Sequence, residues 1–131
     1  MQTITPYLAV RGGIEAIRWY EQAFGAICSF RQMAEDGRRV LHATLNLFDG
    51  QIMLSDEFPE FSTTVSAPPT SGGASVAIQL HLPARERVDE VVARAVEAGA
   101  RIDMAPEDMF WGARFARIID PFGHVWAFNA E

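Results

Sequence analysis

The motif Asp120-Pro121-Phe122-Gly123-His124 stands directly before the apolar run Val125-Trp126-Ala127-Phe128. Aspartate, proline and glycine in this order are typical of a tight connection between two strands, so the motif predicts a turn that leads into a final buried strand. A shorter turn, Asp49-Gly50, precedes residues 51–55 in the same way. The turn glycines are 73 positions apart (123 − 50), which indicates that one structural unit occurs twice in the chain.

An amphipathic helix precedes each of these turns. Apolar residues recur at three- and four-residue steps in the first helix, namely Ile14, Ile17, Tyr20 and Phe24. The second helix starts at about residue 84, and its apolar stripe consists of Val88, Val91, Val92 and Ala95. Gly25 and Gly99 follow the two patterns and are 74 positions apart (99 − 25). Glycine can adopt the left-handed conformation that ends a helix, so the repeat includes a helix and its stop signal.

Alternating apolar residues predict the remaining elements. In the first unit, residues 1–56, they predict strands over 3–10, 27–34, 39–48 and 51–55. In the second unit, residues 74–131, they predict strands over 74–82, 101–104, 110–119 and 124–129. Both units thus have the order βαβββ, which places the chain in the α+β class as one domain, 1–131. Residues 57–73 carry three prolines and no period, and they predict either a mobile linker between the units or a lid over a cleft.

The composition excludes several classes of partner. The 131 residues carry a net charge of −6, and no basic cluster is longer than Arg38-Arg39, so we expect neither a nucleic acid nor an anionic membrane as partner. No apolar run is long enough to span a bilayer. Cys28 is the only cysteine and cannot form an internal disulfide, which predicts a reducing compartment, the cytoplasm. Its apolar neighbours Ile27 and Phe30 predict that Cys28 is buried as a small hydrophobic side chain.

Four segments together resemble a known family. They are residues 7–10 with 17–25, residues 41–43 through 54–56, residues 94–100, and residues 110–112 through 120–126. The last segment is the most specific, because it contains Phe-Trp-Gly and then Asp-Pro-Phe-Gly-His-x-Trp. The chain resembles the vicinal oxygen chelate superfamily, also called the glyoxalase, bleomycin-resistance and extradiol dioxygenase fold, and it looks closest to the PhnB-like branch. The resemblance implies two units that form a curved, half-open mixed sheet around a small-molecule cleft, with helices on the outer face.

The pairing of the two units is a separate question. Each unit leaves one sheet edge and one apolar face that a neighbour must cover. The units can pair within one chain or across a dimer, and the residues leave both arrangements open. The resemblance implies a twofold homodimer, because members of the family often pair the first unit of one chain with the second unit of another.

The resemblance also implies where a metal ion would bind. Enzymes of the superfamily hold the ion with His, Gln or Glu side chains on the first and last strands of each unit. The matching positions here are Thr5, Leu54 or Ser55, Ile78 or Gln79, and Ala127. A divalent first-row ion needs at least three good donors, and a hydroxyl with an amide is a poor substitute for imidazole and carboxylate. We therefore expect no cofactor and no metal, and the alternative is a divalent ion held by atypical ligands such as His42.

Two histidines are candidate ligand-binding residues. His42 lies in the middle of a predicted strand, on its polar face, which is either the cleft or the solvent face. His81 shares a face with Gln79. An offset of 74 equates Gln79 with Thr5 and His81 with Tyr7 (79 − 5 and 81 − 7), so the same hypothesis places Tyr7 near the mouth of the cleft. The alternative for a strand histidine is a hydrogen-bonded structural or surface residue.

The predicted strand over residues 110–119 supplies the rest of the candidate site. Its period of two places Trp111, Phe115 and Arg117 on one face and Arg114 on the other. The aromatic rings would form an apolar wall, and Arg117 could hold a carboxylate or phosphate in bidentate fashion. The alternatives are ordinary core aromatic residues and an ordinary surface ion pair.

Two classes of function follow. The first is a binding module that holds a small apolar or anionic molecule in the cleft without the usual metal. The second is a metal-dependent lyase, isomerase or dioxygenase with atypical ligands, for which His42 is the leading candidate. No residue is assigned a catalytic role, His124 is expected only to order its turn, and the ligand is not identified. The predicted ligand-binding residues are Tyr7, His42, Gln79, His81, Trp111, Phe115 and Arg117.

Overall fold

The computed structural model describes residues 2–131, and the chain divides after Gly73 into two compact units. The first unit contains β1 (Tyr7–Val10), α1 (Gly13–Phe24), β2 (Ile27–Met33), β3 (Val40–Leu47), β4 (Gly50–Asp56) and the short α2 (Pro68–Ser71). The second unit contains β5 (Ala77–His81), α3 (Arg85–Glu97), β6 (Arg101–Asp108), β7 (Arg114–Ile119) and β8 (Val125–Ala130). Residues 57–73 therefore belong to the first unit.

Each unit is built on a four-stranded mixed sheet. The strand order is β1-β4-β3-β2 in the first sheet and β5-β8-β7-β6 in the second. β1 runs parallel to β4 and β5 runs parallel to β8, whereas the other neighbouring strands are antiparallel. α1 packs against β2, β3 and β4, and α3 packs against β6, β7 and β8, so each sheet has a helix-covered face and an open face. The predicted α+β class and the βαβββ order of both units are confirmed.

α1 begins where a buried carboxylate meets its first backbone amides. Asp56, at the end of β4, is 7% exposed, and its Oδ1 accepts the N–H groups of Gly12 at 2.9 Å and Gly13 at 3.0 Å. Its Oδ2 accepts the N–H of Val40 at 2.7 Å. The first N–H groups of a helix have no partner inside the helix, and a carboxylate there also opposes the positive end of the helix dipole. The helix ends at Gly25, with φ of 67°, as the sequence predicts.

The turn at residues 120–124 folds around the side chain of Asp120. This carboxylate is 3% exposed, and its Oδ1 accepts the backbone N–H groups of Phe122 at 2.8 Å and His124 at 3.0 Å. Its Oδ2 accepts the indole N–H of Trp126 at 2.9 Å, and Trp126 is fully buried in β8. One aspartate thus closes the turn and fixes the strand that follows, and His124 takes part in the turn through its main chain.

The first strand of each unit starts later than the sequence predicts. β1 begins at Tyr7 rather than at residue 3, because Pro6 has no N–H to donate to a neighbouring strand, and Ile4 is 82% exposed. β5 begins at Ala77 rather than at residue 74. The alternating pattern therefore extends a few residues beyond the strands themselves.

β6 and β7 also differ from their predicted limits. β6 extends to Asp108 rather than to residue 104, with an irregular register against β7. β7 begins at Arg114 rather than at residue 110, because the preceding residues form a turn in which the N–H of Met109 donates to the carbonyl of Ala113 at 2.8 Å. Trp111 consequently lies in a turn, and its predicted position on the strand is wrong.

The hairpin between β3 and β4 turns at Phe48 and Asp49, whose φ values are 48° and 58°. Leu47 pairs with Gly50 across this turn, so the two-residue connection lies one position earlier than the predicted Asp49-Gly50. Two successive positive φ values match the twist of a hairpin. The ring of Phe48 packs on that of Phe24 with the centroids 5.4 Å apart, and this contact favours a bulky residue in the turn.

The strand registers correct the alignment of the two units. Tyr7 lies opposite Met53, and Gln79 lies opposite Ala127. The buried positions of β4 and β8 match at an offset of 74 (126 − 52 and 128 − 54), so Met53 corresponds to Ala127. Tyr7 therefore corresponds to Gln79, at an offset of 72 (79 − 7), and the predicted equivalence of Thr5 with Gln79 is wrong.

The change of offset arises within the helices. The helix starts at Gly13 and Arg85 are also 72 positions apart (85 − 13), whereas the glycines that follow the helices are 74 apart (99 − 25). The second unit thus has two more residues between its helix start and its glycine. His81 consequently corresponds to Ala9 (81 − 72) and not to Tyr7, which corrects the second predicted equivalence.

Cys28 differs from its predicted burial. It is only partly covered, and its S–H donates to the carbonyl of Phe30 at 3.3 Å. β2 is an edge strand of the first sheet, so a side chain on it has a neighbouring strand on one side only.

Candidate functional site

Tyr7 and His42 meet on the open face of the first sheet. Oη of Tyr7 lies 2.6 Å from Nδ1 of His42, and the rings meet edge to face with their centroids 5.4 Å apart. The other ring nitrogen, Nε2, lies 3.1 Å from Oγ1 of Thr44. The register accounts for this meeting, because Met53 of β4 lies opposite both Tyr7 and Thr44, and His42 precedes Thr44 by two residues on the same face. Two of the predicted site residues are thus brought together by the strands on either side of β4.

The hydrogen-bonded chain has a buried end and an exposed end. Thr44 is 9% exposed, whereas Tyr7 is 51% exposed. Partial burial raises the pKa of the Tyr7 phenol above its ordinary value, so the hydroxyl stays protonated at neutral pH. The half-exposed ring of Phe30 lies beside the His42 imidazole, with the centroids 5.8 Å apart. The arrangement offers a phenolic hydroxyl among aromatic rings.

A cavity of about 480 Å³ opens beside Tyr7. β1 and β4 form one wall, and residues 57–65 contribute the other. The volume is within the range of about 300 to 1,000 Å³ that is usual for small-molecule sites. The polar lining residues are the hydroxyl-bearing Tyr7, Ser55, Ser62 and Thr64 and the carboxylates Asp56 and Glu57, which already accept hydrogen bonds from other residues. The apolar lining residues are Leu8, Ala9, Phe58, Phe61 and Val65.

Phe58 and Phe61 are candidate site residues that the sequence analysis missed. Their rings lie 6.4 Å apart, and Phe61 is 82% exposed. They lie in the aperiodic segment 57–73, where a search for helix or strand periods has nothing to detect. The sequence does contain one signal for these residues, a pair of phenylalanines in an otherwise polar, proline-rich segment. Exposed aromatic groups of this kind often mark a binding surface.

Ion pairs hold this segment to the first unit. Arg39, just before β3, lies 2.6 Å from Oε2 of Glu60 and 2.7 Å from Oδ2 of Asp36, and its guanidinium lies 4.3 Å from the centroid of the Phe58 ring. The hydrogen bonds to Glu60 and Asp36 raise the pKa of Arg39. The backbone N–H groups of Arg39 and Arg38 lower the pKa of the Asp36 carboxyl. Phe58 is therefore positioned by a cation that already has carboxylate partners.

Glu57 holds the segment at a second point. Its carboxylate accepts the hydroxyl of Thr70 at 2.8 Å, the backbone N–H of Ala67 at 3.2 Å and Nε of Arg11 at 3.3 Å. The Thr70 hydroxyl is the main cause of the lowered pKa of Glu57, and the other two donors add to it. Arg11, like Arg39, therefore already has a carboxylate partner.

The second unit carries an aromatic cluster on the open face of its sheet. The indole N–H of Trp111 donates to Oδ1 of the buried Asn129 at 3.2 Å, and its ring meets that of Phe115 edge to face at 5.8 Å. Asn129 lies opposite both Phe115 and His81 in the sheet, so these three residues form one row. Phe110 is 96% exposed, with its ring 5.1 Å from that of Trp111. Trp111 thus meets Phe115 through the turn rather than through the strand period.

Gln79 and Arg117 occupy the neighbouring row, on either side of β8. Nε of Arg117 lies 2.6 Å from Oδ2 of Asp103, with both side chains partly exposed. This is the ordinary surface ion pair that the sequence analysis names as the alternative to an anion-binding role.

The groups at the positions implied for a metal do not fit a first-row ion. The hydroxyl of Thr5 accepts a hydrogen bond at 3.4 Å, and that of Ser55 donates to a backbone carbonyl at 2.9 Å. Gln79 and Ala127 offer one amide and one methyl group. Both ring nitrogens of His42 are engaged in hydrogen bonds. Within residues 2–131, no group of three or more His, Cys, Asp or Glu side chains is placed to hold an ion.

A larger depression, of about 690 Å³, surrounds the hairpin between β3 and β4. Its lining includes Gln2 and Gln51, and these already bond to each other, since the N–H of Gln51 donates to Oε1 of Gln2 at 2.9 Å. None of the predicted ligand-binding residues lines it. The cavity beside Tyr7 is therefore the better candidate site.

Comparisons with known proteins agree with this architecture. The sequence matches the Glyoxalase/Bleomycin resistance protein/Dioxygenase superfamily over residues 4–128. An uncharacterised protein of Mycobacterium bovis is 38% identical over 125 residues, which cover 95% of this chain and 80% of that protein. The structure of TioX from Micromonospora sp. ML1 matches with a TM-score of 0.72 at 25% identity, covering 99% of this chain and 96% of the other. A PhnB protein from Bacillus cereus matches with a TM-score of 0.75 at 18% identity, covering 99% and 100%, so the neighbours in fold include a PhnB protein, as the resemblance predicts. The chain therefore belongs to the glyoxalase, bleomycin-resistance and dioxygenase superfamily.

Proposed function

We propose that the protein binds a small, largely apolar molecule in the cavity beside Tyr7. The observation that carries the proposal is a cavity of about 480 Å³ whose lining is largely apolar and includes Tyr7. His42 holds the Tyr7 hydroxyl at 2.6 Å. Ligand sites of this size combine apolar walls with a few fixed polar groups that orient the ligand.

The charges around the cavity favour an apolar rather than an anionic ligand. Arg11 and Arg39 lie close to the segment that forms one wall, and each is already paired with carboxylate groups. An anion would have to compete with these carboxylates for the guanidinium groups. In the second unit, Arg117 is likewise paired with Asp103. Of the two ligand classes that the sequence analysis leaves open, the apolar one is therefore preferred.

The metal-dependent alternative has less support. His42 would have to give up its bond to Tyr7 or to Thr44 before a ring nitrogen could coordinate an ion. The neighbouring hydroxyl groups of Thr44 and Ser55 are weak ligands for first-row metals. We therefore propose binding without a metal as the primary function.

The test uses 2-isopropenylnaphthalene, an apolar probe that is small enough for the cavity. We expect saturable shifts in protein NMR spectra, confined to residues 7–9 and 55–65. Phe61→Ser is expected to weaken binding severalfold, because it removes an apolar wall. Phe110→Ser is the matched control, because it removes another highly exposed phenylalanine, from the second unit. Shifts confined to the second unit, or no saturable shift, would refute the proposal.

We also propose that the chain forms a homodimer. Large apolar side chains are exposed on one edge strand of each sheet, with Ile27 and Phe30 of β2 at 68% and 52%, and Ile102 of β6 at 50%. Exposed apolar edge strands are usually covered by a partner. Sedimentation that gives a monomer at micromolar concentration would contradict this.

A cytoplasmic location stays a prediction, and the basis of that prediction is the single cysteine of the chain. None of the helices in residues 2–131 has the length and apolarity that a membrane span requires. Export of the chain into an oxidising compartment, observed by fractionation of its native cells, would contradict the prediction.

A further inference from the structure

The hydrogen-bonded chain from Thr44 through His42 to Tyr7 has a direction. In a neutral imidazole one ring nitrogen carries the proton and donates, and the other accepts. The chain can therefore run from Thr44 to Tyr7, with Nδ1 of His42 protonated, or from Tyr7 to Thr44, with Nε2 protonated. The two directions leave Tyr7 with opposite roles toward a ligand, as a donor in the first case and as an acceptor in the second.

The buried end of the chain fixes the direction. Thr44 is 9% exposed, and within residues 2–131 its hydroxyl has no hydrogen-bond partner other than Nε2 of His42. If His42 donated to Thr44, the hydroxyl proton would be left in the interior without an acceptor. A buried donor without a partner is costly, so the hydroxyl donates to Nε2 instead. Nδ1 then carries the proton and donates to Oη of Tyr7 across 2.6 Å.

This direction leaves the Tyr7 hydroxyl proton free at the half-exposed end of the chain. We propose, on the basis of the proposed function, that the ligand is a neutral carbonyl compound with an apolar skeleton, whose oxygen accepts the Tyr7 hydroxyl proton. Thr44 is the positioning residue for this specificity, because it selects the protonated nitrogen of His42 without touching the ligand.

The surroundings support a neutral carbonyl over a carboxylate. The cations near the cavity, Arg11 and Arg39, are each paired with carboxylate groups. A phenolic donor is sufficient for a carbonyl oxygen, whereas a buried carboxylate needs a cation or several donors. The raised pKa of Tyr7 agrees with a hydroxyl that acts as a donor.

The first experiment reads the protonated nitrogen directly. Nitrogen-15 NMR of the histidine-labelled protein at pH 8 distinguishes a protonated ring nitrogen from an unprotonated one, and His42→Gln assigns the signal. We expect Nδ1 of His42 to be protonated in the wild type and in Thr44→Ser. In Thr44→Val, which has nearly the same shape but no hydroxyl, we expect a shift toward the Nε2-protonated form. A wild-type protein with Nε2 protonated would overturn the proposal.

The second experiment compares two probes of nearly identical shape. 2-Acetylnaphthalene carries a carbonyl oxygen where 2-isopropenylnaphthalene carries a methylene group. We expect the wild type to bind the ketone roughly tenfold more tightly, which corresponds to one net hydrogen bond. Tyr7→Phe is expected to bind both probes equally, and Thr44→Val to lose most of the preference while it keeps its affinity for the hydrocarbon. Thr44→Ser is expected to keep the preference.

The outcomes separate the two proposals. Equal affinity of the wild type for both probes would refute the carbonyl preference and leave the apolar cavity supported. Absence of binding by either probe would refute the proposed function and the preference together. A preference that survives Thr44→Val unchanged would refute the role of Thr44.

Discussion

The indole N–H of Trp126 donates to Oδ2 of Asp120 across 2.9 Å in the core of the second unit. Trp126 is fully buried, and Asp120 is 3% exposed. The same carboxylate closes the turn before β8 through two backbone N–H groups. The motif from Asp120 to Trp126 is therefore a structural element of the second unit.

Trp126→Phe is expected to destabilise the fold by about 1–3 kcal/mol, because it removes the indole N–H that donates to a buried carboxylate and reduces packing. Urea denaturation followed by circular dichroism measures this loss. Trp111→Phe is the control, because Trp111 is 49% exposed and its loss should cost less. Equal losses for the two variants would contradict the role assigned to Asp120.

Gly13→Ala is expected to be destabilising, although alanine normally favours a helix by about 1 kcal/mol over glycine. A Cβ at this position would lie 2.6 Å from Oδ2 of Asp56 and 2.7 Å from Cβ of Val40, which no rotamer relieves. Overpacking of this kind costs about 1–3 kcal/mol. At Gly50 the added Cβ meets only the end of the flexible Gln2 side chain at 3.0 Å, so Gly50→Ala is the control for thermal unfolding. A stabilised Gly13→Ala variant would contradict the close packing of Asp56 and Val40 against the helix start.

Glu57→Gln is expected to lower the free energy of unfolding at pH 7. The same substitution is expected to lower it by less in acid. The folded-state pKa of Glu57 is lowered, mainly by the Thr70 hydroxyl. A lowered carboxyl pKa gives stability that is present above the unfolded-state value, about 4.3, and that is lost as the pH falls through the folded-state value. Denaturation at pH 7 and pH 3.5 should therefore show the wild type and the variant converging in acid.

Glu35→Gln is the control for this experiment, because Glu35 forms no ion pair in the described part of the chain. Its stability difference from the wild type should be small at both pH values. A Glu57→Gln difference that grows in acid would have the wrong sign and would contradict the contacts of Glu57.

Protein purified without chelator is expected to contain far less than one transition-metal ion per chain, as measured by mass spectrometry of the metals. The reason is the donor set, since both nitrogens of His42 are engaged and the implied ligand positions carry no imidazole or carboxylate. Stoichiometric zinc, nickel, manganese or iron that disappears in His42→Ala would favour the metal-dependent alternative.

Local patterns predict the fold well because each unit repeats the same periods. The stripe from Ile14 to Phe24 and the stop at Gly25 define α1, and the Asp120 motif defines the final turn. The limits of β1 and β7 fail for local reasons, namely Pro6 and the turn at residues 109–113. Neither feature changes the order of the strands.

The candidate site is less predictable because it depends on register. A uniform offset of 74 pairs Thr5 with Gln79, but the added residues in the second helix region move the true partner of Gln79 to Tyr7. Thr44 lies two residues after His42 on the same strand face, but its burial and its hydrogen bond to Nε2 of His42 are seen only in the structure. Phe58 lies in a segment without any period.

Asp56 has no counterpart in the second unit, where the equivalent position (56 + 74) is Ala130. α3 begins at Arg85 without a side-chain cap, whereas α1 is fastened to the end of β4. The duplicated halves have thus diverged in how firmly their helices are anchored, and the opening turn of α3 should fray and exchange its amide protons sooner than that of α1. The half that holds the cavity is the half whose helix is locked in place.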